Sequence, residues 1–87
     1  MMYPFMTLND ETEITHSDME ADGTVKVYVE TPVIGGFHNA WCILPKFRWE
    51  EIDGYSDDDI KRFQEIIKPS EQLILKKAAE YSAVRAL

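Results

Sequence analysis

The chain has 87 residues, 45% of them hydrophobic and 29% charged, with a formal net charge of −7. That length holds one domain with a modest core, the apolar content argues against disorder, and the acidic balance argues against a surface that binds nucleic acid or anionic lipid as a whole. A single cysteine, Cys42, excludes an intramolecular disulfide and fits a reducing compartment.

The apolar start, Met1-Met2-Tyr3-Pro4-Phe5-Met6, is too short for a signal peptide and lacks a basic n-region. Residues 1–12 are read as a flexible lead. Nowhere does the chain approach the ~20 apolar residues of a membrane span, so a cytoplasmic protein is expected. Residues 24–31 are the clearest strand, with Val25, Val27 and Val29 on one face and Lys26, Tyr28 and Glu30 on the other. Asp22-Gly23 ahead of it suits a tight turn, which makes residues 13–20 the partner strand. Pro32 is expected to end the strand and Gly35-Gly36 to form the next turn. Residues 37–44 form a third strand with two apolar faces, Phe37, Trp41 and Ile43 on one and Ala40, Cys42 and Leu44 on the other, which places it centrally. Beyond Pro45, Lys46-Phe47-Arg48-Trp49-Glu50 alternates again, as a bent continuation or a short fourth strand.

The period changes near Tyr55. Ser56 followed by Asp57, Asp58 and Asp59 reads as a helix N-cap with acids in the first turn. Ile60, Ile67, Ile74 and Tyr81 then recur at sevens, with Phe63 and Ala78 beside them and Ile66, Leu73 and Val84 broadening the stripe. Pro69 lies on the opposite side of the wheel. A straight helix of this length would reach about 40 Å at ~1.5 Å per residue, longer than an eight-residue strand of about 27 Å. The helix therefore bends, or its last turns overhang the sheet and expose Leu73, Leu75 and Val84 to a partner. The expected fold class is α+β in two layers. An antiparallel meander of three to four strands over 13–49 precedes a C-terminal helix over 56–84, bent or broken near Pro69, all in one domain over 1–87. The expected core is Val25, Val27, Val29, Phe37, Trp41, Ile43, Ile60, Phe63, Ile67, Ile74 and Tyr81.

No motif points to catalysis. His38 and Cys42 share a strand face but lie about 13 Å apart at ~3.4 Å per residue, beyond reach of a dyad. The Cys and His supply is too small for a zinc site, and the expected state is a buried cysteine with two half-exposed histidines. Asp18-x-Glu20-x-Asp22-Gly23 opens like a calcium loop, but the twelfth position is Val29 and a strand follows where a helix is required. Lys46-Phe47-Arg48-Trp49 interleaves bases with aromatics as nucleic-acid platforms do, but Glu50 and Glu51 follow at once. Neither an enzyme nor direct nucleic-acid binding is expected, and no cofactor.

What remains is the distribution of charge. Twelve of the sixteen carboxylates fall in two blocks without Lys or Arg: Asp10, Glu11, Glu13, Asp18, Glu20 and Asp22, then Glu50, Glu51, Asp53, Asp57, Asp58 and Asp59. Such blocks create a local field that selects partners. The expected function is a small acidic protein-binding module that engages a basic protein surface, such as that of a nucleic-acid-binding protein, by imitating phosphates. In size and acidity the chain is similar to small antitoxins and phage-encoded inhibitors, anti-CRISPR proteins among them, an analogy of class that no motif carries. The partner-binding candidates are Glu50, Glu51, Asp53, Asp57, Asp58 and Asp59, then Asp18, Glu20 and Asp22. Two other classes fit the same residues: a structural accessory protein that forms a homodimer through the C-terminal helix, and a divalent-metal-binding domain.

Overall fold

The valine alternation at the centre of the chain builds the centre of a sheet. In a computed structural model, which describes the backbone of residues 1–86 and side chains through residue 83, the fold is α+β. Its antiparallel sheet has five strands in chain order: β1 (Met2–Thr7), β2 (Glu13–Ser17), β3 (Val25–Val33), β4 (Gly36–Leu44) and β5 (Arg48–Asp53). Two helices follow, α1 (Asp57–Ile67) and α2 (Glu71–Ala86), joined by a 3-10 turn at Lys68–Ser70. Val84, which broadens the helical stripe in the sequence, has its side chain outside the described residues.

Several expectations need correction. The sheet has five strands where three to four were expected. The added strand is β1, formed where a flexible lead had been read. Pro4 is accommodated there because β1 is an edge strand with one neighbour. Pro32 does not end its strand. Its pair with Phe37 lies past the last β2–β3 pair, Glu13 with Glu30, where β3 has lost one neighbour and a missing N–H is tolerated. The turn is Ile34-Gly35, with Gly35 at φ +87°, and Gly36 already belongs to β4. Of the bent and broken alternatives for the helical half, the break is the one found: Pro69 sits in the 3-10 turn between two helices.

One face of the sheet carries the core. Val25, Val27 and Val29 meet Leu44, Cys42 and Ala40 across β3–β4, and Phe63, Ile67, Ile74 and Ala78 close over them from the helices. Ile14 of β2 completes this layer. The two apolar faces of β4 are thereby told apart: Ala40, Cys42 and Leu44 face the helices, whereas Phe37, Trp41 and Ile43 face away. Of that expected core trio Ile43 is buried, Trp41 is half-buried and Phe37 is 57% exposed. Ile60 and Tyr81 are half-buried. His16 is also corrected: it is buried, with Nδ1 2.9 Å from the Ser17 carbonyl oxygen and rings of Tyr3, Phe5 and Tyr81 around it. Trp49 ties β5 to α1, its indole N–H donating to Gln64 Oε1 at 3.0 Å.

Cys42 is fully buried, and burial pushes its thiol up to about 12. A thiol held protonated in an apolar layer is a poor nucleophile. A thiol reagent such as Ellman's is expected to leave the folded protein unlabelled while it labels the guanidinium-unfolded chain at once. Rapid stoichiometric labelling of the native state would contradict this packing.

Candidate functional site

With the helices on one side, the other face of the sheet is left uncovered, and the strand register decides what it displays. Three transverse rows can be read from it. The middle row runs Pro4, Thr15, Tyr28, Trp41, Glu50, with the Tyr28 and Trp41 rings 4.6 Å apart. The row toward the β2–β3 turn holds Lys26, Ile43 and Arg48. The row toward the β3–β4 turn runs Thr7, Glu13, Glu30, Asn39, Asp53. At a strand spacing of about 4.8 Å, its three carboxylates span roughly 14 Å with no base among them.

Glu13 directly opposite Glu30 is unfavourable, because like charges in a cross-strand pair repel. A β-bulge shapes the end of the row: between Glu50 and Asp53 the register shifts, and Glu51 adopts a positive φ of 51°. Glu30 also raises the hydroxyl pKa of Tyr28, after burial, which is the larger cause.

The β5–α1 link carries acids to the same end of the molecule. Ser56 caps α1 through a capping box: its side chain accepts from the Asp59 N–H at 3.1 Å, and its own N–H donates to Asp59 Oδ2 at 2.9 Å. These bonds hold the Asp59 carboxyl below the ordinary aspartate value of 3.8. Asp59 is therefore committed to starting the helix, whereas Asp57 and Asp58 are exposed beside it. Asp10 joins from the β1–β2 loop, 3.5 Å from Arg62 of α1. A pKa lowered by folding contributes stability above the unfolded value, and that contribution is lost as pH falls through the folded value. Asp59→Asn is thus expected to destabilise by about 0.3–1 kcal/mol at neutral pH. The gap to the wild type should close as pH drops below 3.8, as measured by urea melts across pH.

The predicted site residues do not form one patch. Asp18, Glu20 and Asp22 lie at the opposite end of the sheet, around the β2–β3 turn. There Asp22 Oδ1 accepts from the Thr24 hydroxyl at 2.6 Å and from its N–H at 3.0 Å, bonds that hold its carboxyl low. Glu20, Asp22 and Glu50 share a groove of about 900 Å³ with Lys26, Lys46 and Arg48, and Arg48 pairs with Glu50 at 2.8 Å. That end is of mixed charge. The end that gathers carboxylates is the other one, with Asp10, Glu11, Glu13, Glu30 and Asp53, and Asp57 and Asp58 beyond them. Of these the sequence names Asp53, Asp57 and Asp58 as partner-binding candidates and places Asp10, Glu11 and Glu13 in its first acidic block. It missed Glu30 altogether, since that residue lies in neither acidic block.

Two further readings meet the geometry here. Among the described residues, no three His, Cys, Asp or Glu side chains converge as metal ligands would. Leu73 is 47% exposed on α2, but Leu75 is half-buried and packs against the core, so the overhanging stripe is reduced to a single leucine among the described residues. No helix among the described residues is long and apolar enough to cross a membrane. No protein-family model, no curated protein and no solved structure matches this chain.

Proposed function

We propose that this chain is a non-catalytic protein-binding module whose acidic end engages a basic partner surface, one that otherwise holds nucleic-acid phosphates. The observation that carries the reading is the cross-strand pair Glu13–Glu30, extended by Asp53 in one row without a cation. Positions that violate local stability rules without structural compensation are where function is to be sought. A row of carboxylates on a rigid sheet offers a basic groove fixed negative charges, and a net charge of −7 steers encounter from a distance. Tyr28 and Trp41 beside the row add faces on which a partner's Arg or Lys can stack.

The reading makes a two-sided prediction. Glu30→Gln should stabilise the fold, by about 0.2–1 kcal/mol, because it relieves a like-charge pair. The same substitution should weaken partner binding. A carboxylate that only confers solubility would show the first effect without the second. The experiment is affinity capture from the source organism's lysate across a salt series, after nuclease treatment, with Glu13→Gln/Glu30→Gln/Asp53→Asn as comparator. Capture of a basic protein should persist after nuclease and fail in the triple variant. It should also fade as salt shortens the screening length from ~8 Å at physiological strength to ~3 Å at 1 M. Capture indifferent to salt and to the triple substitution would overturn the reading.

A further inference from the structure

The β3–β4 hairpin outruns its neighbours. Its outer pairs, Thr31–His38, Pro32–Phe37 and Val33–Gly36, lie beyond the last paired residues of β2 and β5, Glu13 and Asp53. At its tip Ile34 is 106% exposed, Val33 38% and Phe37 57%. Gly35 supplies the positive φ of this two-residue turn, so the Ile34 position takes an ordinary φ, and no turn geometry calls for an isoleucine there. The base of the hairpin is held firmly. Tyr55 donates its hydroxyl proton to the His38 carbonyl at 3.1 Å, so Thr31 donates to Tyr55 at 2.8 Å, and Thr12 lies 2.6 Å from Thr31. On one flank of the hairpin, Thr7, Glu11, Glu13 and Glu30 line a groove of about 310 Å³ with Pro32 and Phe37.

We infer that this hairpin tip is an insertion element: Ile34, with Val33 and Phe37, enters an apolar surface flanked by Lys and Arg on a partner protein. This rests on the acidic-end reading and specifies its partner. Charge complementarity argues for that occupant, since the charged residues of the groove beside the hairpin, Glu11, Glu13 and Glu30, are all carboxylates. It argues against a second copy of this chain, because a tip-to-tip dimer would bring two acidic grooves together. The clamped base fixes the tip in advance of binding, which lowers the cost of ordering it.

Two synthetic peptides of equal length and charge test the inference: an amphipathic Leu/Lys helix, and its Ser/Lys counterpart. The wild type should bind the Leu/Lys peptide at least tenfold tighter at low salt. Ile34→Ser, whose fold is checked by circular dichroism, should abolish that excess and leave Ser/Lys binding unchanged. Burial of one isoleucine corresponds to about tenfold to a hundredfold in affinity. Equal affinities for the two peptides, or an excess that survives Ile34→Ser, overturn the insertion element and leave the acidic end standing. Binding of neither peptide overturns both. A concentration-dependent dimer that Ile34→Ser dissolves assigns the tip to a second copy and overturns the inference as well.

Discussion

Phe63→Ala is expected to remove about 3–5 kcal/mol of folding stability, the range for truncating a large buried aromatic. Phe63 is 2% exposed and belongs to the cluster that joins α1 to Val25, Val27 and Val29. It also meets the Tyr55 ring edge-on at 4.9 Å, so the cavity would open between the core and the link that carries the acidic helix start. A domain of this length has roughly 4–13 kcal/mol to lose, so the variant should sit near the edge of folding. The denaturant midpoint should fall steeply and Tm by more than about 10 °C. Leu73→Ala is the control. With Leu73 47% exposed, its cost should stay within about 0.5 kcal/mol at every protein concentration. A large, concentration-dependent cost at Leu73 would show it buried between copies, which is the homodimer expectation.

What was legible in the sequence was local. The alternation of Val25, Val27 and Val29 reads as a strand because one face packs under helices and the other is wet. The cap at Ser56 reads as a cap because a capping box is contained in four residues. Features that depend on pairing between distant segments were illegible. The short run around Pro4 becomes a strand only because β2 supplies its partner. Both faces of β4 are apolar, so the choice of core face rested on which one the helices cover, and Phe37 fell on the wrong side. The acidic end depended on register most of all. Glu13 and Glu30 meet across β2–β3, and a slip of one residue would have sent one of them to the core face. Blocks defined along the chain therefore split in space, with Asp18, Glu20 and Asp22 at one end and Asp10, Glu11 and Glu13 at the other.

Gly54→Ala is expected to cost about 2–5 kcal/mol, and its cost should be partly recovered by removing a ring elsewhere. Gly54 turns the chain from β5 into α1 at φ +91°, a conformation that costs an L residue about 1–2 kcal/mol. A Cβ at this position would also overlap the His38 imidazole, with Nε2 2.8 Å away and the ring carbons closer still. The ring has little freedom to retreat, because Tyr55 packs against it edge-on at 5.7 Å and bonds the His38 carbonyl. Overpacking of this kind adds about 1–3 kcal/mol. The two terms separate in a double-mutant cycle. His38→Ala removes the obstacle but not the backbone strain. Gly54→Ala/His38→Ala should therefore be more stable than the sum of the single effects by about 1–3 kcal/mol, while the strain remains. Strict additivity in urea melts would mean that the ring has room to move and that the close approach is not what demands glycine. Because the same turn sets where Asp57 and Asp58 stand relative to Asp53, a glycine that looks like a mere punctuation mark in the sequence fixes how the second acidic block joins the carboxylate row.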